Sequence, residues 1–372
     1  MAAARLSVSE VRRAPRLQVV SPTYPSAKTP YYGTFVRNMN ESLRARGFEV
    51  GLRATIPGGG STGEKLLRHL RLGLGLSSLL VAECDLLVVH APTWFGLPSL
   101  LVSRRLDLPL VLHLHGSETM PHRVVESLFR PLLPRLARRS ACVVVPSEYF
   151  GALVIEELGV DAQKVFVSPS GGVDANFFFP RSREEARSHL ELPATGPLVG
   201  FVGRLVANKN WRLFLDVVAR LREQRPDVRA LVVGSGSDER SFAARLEELE
   251  LLDSVHRLPS LPQSELAMAY SAMDVLVFPS DQHESLGLVP LEALACGVSV
   301  VARRLFAIPE FVVPGENGHL CGSSDAGEFA QGVLGLLAED GPDRAQVAES
   351  VHRYRSEHVA DELAARLRTL VR

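Results

Sequence analysis

Short apolar runs alternate with longer stretches of helical period along the whole chain. Runs at 17–20, 49–54, 85–90, 108–115, 141–146 and 165–168 read as buried strands, as do 198–202, 228–233, 255–258, 275–278 and 298–302. Between them, apolar residues recur with the 3.6-residue period of helices at 33–46, 64–82, 97–105, 124–138 and 148–158. The same holds at 211–225, 241–251, 264–272, 288–295 and 328–339, and the tail 356–372 predicts one more helix. Near-continuous apolar strands interleaved with helices imply α/β architecture, with parallel sheets covered on both faces. Eleven strands in one open sheet would be unusual, so the pattern predicts two doubly wound, Rossmann-like sheets facing across a cleft. The boundaries expected are a first domain at 1–176, a linker at 177–196 rich in proline and charge, and a second domain at 197–352. The helix at 353–372 is expected to pack back toward the first domain.

Length and composition agree. At about 150 residues per domain, 372 residues predict two to three domains. Apolar types at 46% and charged types at 22% argue against a disordered chain. The net charge of -1 supplies no general attraction to nucleic acid, so any anion site must be local. The four cysteines, Cys84, Cys142, Cys296 and Cys321, form no C-x-x-C pair and suit buried thiols in a reducing compartment. Residues 86–103 form an 18-residue span without Asp, Glu, Lys or Arg, but His90, Pro92, Gly96 and Pro98 break it into strand, turn and helix. With no apolar core of signal-peptide length after the early arginines, the expectation is a cytoplasmic protein.

Ligands of open α/β sheets bind beyond the carboxyl ends of strands, and candidate chemistry falls there. Phe201-Val202-Gly203-Arg204 is followed by Lys209-Asn210-Trp211. Gly203 permits close backbone approach, and Arg204 and Lys209 bring two cations to one strand end, as a polyphosphate requires. The chain has only four lysines (Lys28, Lys65, Lys164 and Lys209) among 41 basic side chains, so a lysine in this turn stands out. An ordinary solvated turn is the bland alternative. A second strand ends near Phe278, and a helix opens near Gly287. The free amides of Leu286, Gly287 and Leu288 would point at an anion, with Glu284 just before them to accept bonds from ligand hydroxyls. Glu292 sits further along in an apolar stretch, where a carboxylate is costly without a partner such as a ribose diol. The alternative there is a capped helix with a structural glutamate.

Glu284-x7-Glu292, with Ala295-Cys296-Gly297, resembles the E-x7-E element of retaining glycosyltransferases of family 4, which have the two-domain GT-B fold. Other pieces match in order. Ser21-Pro22-Thr23-Tyr24-Pro25 and then Gly33 resemble the family's first strand and glycine loop, and His115-Gly116-Ser117-Glu118 its H-G-S-D element. Pro146-Ser147-Glu148 and Gly172-Val173-Asp174 resemble P-S and N-G-V-D. Residues 201–209 resemble F-V-G-R-L-x-x-x-K, and Gly234-Ser235-Gly236 resembles a second glycine turn. Ile308-Pro309-Glu310 and Gly315-Glu316-Asn317-Gly318 resemble I-P-E and G-x-x-G. The series spans nearly the whole chain.

The resemblance implies a retaining transfer of sugar from a nucleotide-diphosphate sugar, UDP- or GDP-linked, to a glycan or small-molecule acceptor. It implies that Arg204 and Lys209 hold the diphosphate and Glu292 the ribose. Glu284 with the 286–288 amides would hold the sugar and distal phosphate, and Arg257 and Leu258 would lie beside the base. Gly33 would close over the diphosphate, and His115 would face the sugar or acceptor. The first domain would bind the acceptor, with Ser117 and Glu118 on that side. Trp94, after a strand end, suits acceptor stacking or core packing. No cofactor is implied beyond the nucleotide sugar. No metal is expected either, since two cations and a helix N-terminus can stabilise the leaving diphosphate and no D-x-D cluster is present.

Departures from the family pattern are Phe306-Ala307 where two glycines are usual, Glu118 for the H-G-S-D acid, Gly171 for the N-G-V-D asparagine, and Asn210 for a glycine. The run Arg130, Arg135, Arg138 and Arg139 suits a solvated face more often than an anionic membrane surface. The 58–63 loop, Gly58 to Gly63, suits an acceptor cover or a simply mobile segment. A dehydrogenase would show G-x-G-x-x-G after its first strand, and neither candidate turn completes it. An epimerase or phosphorylase on the same fold, and a non-catalytic nucleotide-sugar binder, remain the alternatives.

Overall fold

The computed structural model describes residues 13–25, 33–54, 83–92, 95–116, 130–338 and 341–371. By contacts the chain divides into two compact units. The first comprises 1–144, 157–166 and 360–372, and the second comprises 145–156 and 167–359.

The first sheet is built from β1 (Arg16–Ser21), β2 (Glu49–Ala54), β3 (Leu86–His90), β4 (Leu110–His113), β5 (Cys142–Val145) and β6 (Val165–Val167), in the order β2-β1-β3-β4-β5-β6. The second is built from β7 (Leu198–Val202), β8 (Arg229–Val233), β9 (Val255–Leu258), β10 (Val275–Phe278), β11 (Ser299–Arg303) and β12 (Gly318–Cys321), in the order β12-β11-β10-β7-β8-β9. Pairing is parallel from β2 to β5 in the first sheet and throughout the second. The strand order reverses between β1 and β3 in the first sheet and between β7 and β10 in the second. Those reversals are the crevices where doubly wound sheets bind ligands.

Alternation along the second sheet explains why its strands are apolar throughout. Leu198, Val202, Leu231, Leu276 and Phe278 feed one core, while Val199, Phe201, Val232, Val275 and Val277 feed another on the opposite face. Helices cover both faces. The helix Trp211–Gln224 buries Trp211, Phe214, Leu215, Val218 and Leu221. In the first unit the helix Thr34–Ala45 buries Val36, Met39, Asn40 and Leu43, one face at helical spacing. The last helix, Ser356–Arg368, puts Leu363, Ala364 and Leu367 into the core of the first unit, with Leu17, Val19 and Leu43.

Three elements differ from the sequence reading, the unexpected helix Arg344–Glu349 among them. The stretch 177–196, expected as a linker, carries the helix Arg183–His189, capped by Ser182, which accepts from the Glu185 amide at 3.2 Å. Its charges are spent internally. Arg187, 2% exposed, pairs with Asp274 at 2.8 Å and donates to the carbonyls of Ala272, Ala194 and Gly196. Phe178, Ala186 and Leu192 join the core of the second unit. The third difference is β12, a short edge strand containing a glycine and a histidine, too brief to show a period. Cys142, Cys296 and Cys321 are buried free thiols, and Cys84 is half-buried. Among the described residues no helix is long and apolar enough to cross a membrane.

Candidate functional site

At the reversal of the second sheet, β7 and β10 lie side by side, so the turns that follow them are neighbours. Lys209 ends the short turn Ala207–Lys209 after β7, and Glu284 lies in the loop after β10. They meet: Lys209 Nζ is 2.6 Å from Glu284 Oε1, with the side chains 18% and 17% exposed. Ser280 Oγ donates to the same oxygen at 3.3 Å. Asn210, next in sequence, has φ +53°. That left-handed conformation explains the family's glycine, and asparagine is one of the few residues that tolerate it. Its side-chain amide adds something glycine lacks, a bond to Asp281 Oδ2 at 2.9 Å, while Asp281 also pairs with Arg303 at 2.6 Å. Arg204 is exposed, and its guanidinium has no hydrogen-bond or ion-pair partner among the described residues.

The helix Leu288–Ala295 starts from Gly287 at φ +97°, with no side chain capping it. A β-carbon on Gly287 would stand 2.7 Å from Ile308 Cδ1, so both conformation and space demand glycine. Leu286, 2% exposed, anchors the turn, and Leu288 is 37% exposed. The first-turn amides of such a helix have no intrahelical acceptors. Residues 286–289 line a cavity of about 250 Å3 with Lys209, Glu284, Ser170 and Phe278. Lys209, Glu284, Leu286, Gly287 and Leu288 are thus brought together. Glu292 is not among the lining residues. It accepts a hydrogen bond from the buried Tyr270 hydroxyl at 2.9 Å. Burial pushes its carboxyl up to about 7, with the Tyr270 bond pulling the other way. Burial also raises the Tyr270 hydroxyl well above its ordinary value.

Arg257 and Leu258 end β9, two strands from β7. Arg257 pairs with Glu239 at 3.4 Å and lies 4.9 Å over the Phe242 ring. The Leu258 carbonyl accepts from Gly234 at 3.0 Å, and the Val233 carbonyl accepts from Gly203 at 3.0 Å, which lace the ends of β7, β8 and β9 together.

Several motif residues take supporting places that spacing alone did not reveal. Ser147 is fully buried; it accepts from the Phe150 amide at 3.1 Å and donates to the Ser285 carbonyl at 2.7 Å, holding the residue next to Glu284. Glu310 accepts from the amides of Glu148 (3.1 Å) and Tyr149 (2.7 Å). Tyr149 shares a hydrogen bond with His283 at 3.1 Å. Phe306 has φ +56°, a conformation that favours the glycine usual there, and its ring lies 4.6 Å from that of His283.

In the first unit, Gly33 precedes the helix Thr34–Ala45 with φ +76°, and a β-carbon there would come within 2.9 Å of the Thr23 backbone. Phe35, two residues on, sets its ring 4.6 Å from that of His115. His115 lies just past β4 and belongs to a cluster. His90, the last residue of β3, pairs in register with His113, and His115 is two residues further on, on the same face. The rings stack at 4.6 Å (His90 on His113), 4.6 Å (His113 on His115) and 5.1 Å (His90 on His115). His90 Nδ1 is 2.9 Å from His115 Nε2. Burial holds all three below the ordinary imidazole range, His113 at about 4. The sequence reading missed His90. Ser117, Glu118, Trp94 and the 58–63 loop lie outside the described residues.

A doubly wound sheet with a lysine, a carboxylate and an uncapped helix start at its reversal is the build of a nucleotide-binding α/β protein. The chain belongs to the glycosyl transferases group 1: that family model matches residues 182–353, and the Glycosyltransferase Family 4 model matches residues 32–177. The D-inositol 3-phosphate glycosyltransferase of Segniliparus rotundus is 32% identical over 302 residues, covering 77% of this chain and 66% of that protein, just under two thirds of its length. The 2-deoxystreptamine glucosyltransferase of Streptomyces kanamyceticus is 28% identical, covering 71% of this chain and 70% of that protein. In fold, the chain is similar to a sucrose-phosphate synthase of Thermosynechococcus elongatus, with a TM-score of 0.77 at 20% identity over 96% and 99% of the two chains. It is also similar to Anabaena HepE solved with UDP-glucose, with a TM-score of 0.74 at 19% identity over 95% and 99%. The fold is GT-B.

Proposed function

We propose that the protein is a retaining, metal-independent glycosyltransferase that takes its sugar from a UDP- or GDP-sugar. The observation that carries the reading is the cavity at the reversal of the second sheet, where the Lys209 ammonium, the Glu284 carboxylate and the uncapped start of the helix Leu288–Ala295 converge. Transfer builds negative charge on the leaving nucleoside diphosphate. Lys209, the exposed Arg204 and the helix amides supply fixed positive potential where that charge develops. Before a donor enters, Lys209 is bound to Glu284; the diphosphate takes over the ammonium, and the released carboxylate accepts from sugar hydroxyls. Glu292 holds the ribose, Arg257 and Leu258 lie beside the base, and Gly33 and His115 serve the diphosphate and the sugar or acceptor. These groups do the work a divalent cation would otherwise do.

Two relatives support a small polyol as the acceptor, since one is named for D-inositol 3-phosphate and the other for 2-deoxystreptamine. Both are cyclohexane polyols, and a cyclitol acceptor of natural-product or surface-glycan chemistry is the reading to test. The assay is calorimetry of UDP-, GDP-, ADP- and TDP-sugars without metal, then turnover of the bound donor with inositol phosphates and aminocyclitols. Tight binding of one donor, lost in Lys209→Ala and Glu292→Ala, is the expected result. Folded protein that binds none of them would overturn the reading, and so would turnover that needs added Mg²⁺.

A further inference from the structure

We propose that His90 is a positioning residue whose Nδ1–H donates to Nε2 of His115 and fixes His115 as the tautomer protonated on Nδ1. The first observation is geometric. The two nitrogens stand 2.9 Å apart, hydrogen-bond distance, and the ring planes differ by 6°. Between two neutral imidazoles one proton occupies that bond, so one ring must donate and the other accept. The second observation chooses the direction. His90 is 1% exposed and its Nε2 is buried without a partner. If His90 carried its proton on Nε2, a buried N–H would be orphaned, which folded proteins avoid more strictly than an unfilled acceptor. With the proton on Nδ1, the orphan is only a lone pair. His115 Nε2 is then the acceptor, and the proton of His115 sits on Nδ1.

The donor nitrogens of His90, His113 and His115 lie within 4.8 Å of one another, close enough to raise the question of a metal ion. The hydrogen bond answers against it: the proton that joins His90 Nδ1 to His115 Nε2 engages both of those nitrogens, so neither offers a free lone pair to an ion. His113, in register with His90 and 4% exposed, serves as a ring platform, and Phe35 closes the other side of His115 at 4.6 Å. Burial keeps the imidazoles uncharged near neutral pH. The consequence rests on the transferase reading. With its Nε2 lone pair engaged, His115 does not take a proton through that atom, and its ring is held neutral in one orientation beside the sugar or acceptor.

The test is nitrogen NMR of histidine-labelled full-length protein, which needs no substrate, with His115→Phe assigning the signals. Nδ1-protonated, Nε2-accepting His115 is expected in the wild type and in His90→Asn, whose side-chain amide keeps a donor where Nδ1 stood. His90→Asp, which offers only an acceptor, is expected to reverse the tautomer. In turnover, His90→Asn should retain kcat within about threefold, and His90→Asp should lose about tenfold or more in kcat with donor KM little changed. A wild-type His115 protonated on Nε2 overturns the proposal. So does the same tautomer in both variants, or stoichiometric Zn²⁺ binding that shifts all three rings. Failure of the transferase reading shows separately, as absence of donor binding in protein whose tautomer is as stated.

Discussion

The two sheets put opposite chemistry at the same topological place. At the reversal of the second sheet stand a lysine, a glutamate, an exposed arginine and an uncapped helix. Beside the reversal of the first, at the ends of β3 and β4, stand three clustered imidazoles that burial holds uncharged, with a phenylalanine beside them. A charged crevice suits the diphosphate half of a donor, and a neutral one suits hydroxyl-bearing partners whose bonds depend on proton direction. One fold thus supplies both kinds of crevice, and the difference lies in a few residues after each strand.

The sharpest way to break that contrast is to remove the charge. Lys209→Ala should lower kcat/KM by about 1000-fold and nucleotide affinity by about 100-fold, because a charge-assisted contact to the leaving diphosphate is lost. His115→Ala should leave nucleotide affinity within about twofold in the same calorimetry. Equal losses in both variants would mean that the two crevices do not divide the work as argued.

Glu292 gives the next largest effect, read as pH dependence. Its carboxyl moves from an ordinary value of 4.5 to about 7, so folding raises its proton affinity. The stability tied to that proton is complete below about pH 4.5 and is lost as pH climbs through 7. Glu292→Gln removes the dependence. Its stability relative to wild type should improve by roughly 3 kcal/mol between pH 4.5 and pH 8, followed by urea unfolding at each pH. A flat difference would show that the carboxyl does not titrate there.

Glu284→Gln separates competition from recognition. Glu284 Oε1 accepts from the Lys209 ammonium at 2.6 Å. Removing the charge should tighten binding of UDP or GDP alone by about tenfold while sugar transfer falls. Weaker binding of the bare nucleotide would mean that the pair organises the site rather than competing for it.

How much of this was legible in the sequence follows from what is local. Strand, turn and helix signals sit within a few residues of Lys209 and Glu284, so their places at strand ends could be read from the sequence, although the 2.6 Å contact between them could not. Asn210 looked like a loss of the family glycine; only the structure shows its left-handed backbone and its bond to Asp281. The helix Arg183–His189 was hidden because its charges resemble a solvated linker, whereas Arg187 and Asp274 spend theirs in a buried pair. His90 was hidden for a different reason. It ends a strand, and its register with His113 is decided by how β3 and β4 align, which no single segment encodes.

The smallest expected effect tests whether the first crevice is truly neutral. His113 is 4% exposed, its Nε2 has no partner, and burial holds it at about 4. Its folded value lies below the ordinary 6.5, so its contribution to stability is present above pH 6.5 and fades as pH falls through 4. His113→Leu removes a buried polar atom that nothing satisfies, at similar volume. At pH 7.5 its stability should stay within about 1 kcal/mol of wild type, because the lost ring stacking and the relieved desolvation oppose each other. The acid limb of the unfolding profile should become shallower, since one fewer imidazole must charge on unfolding. Nucleotide affinity should not change at all. A loss above about 3 kcal/mol at pH 7.5 would mean that the ring carries a charge or a bond in the folded protein, and the neutral crevice would have to be abandoned.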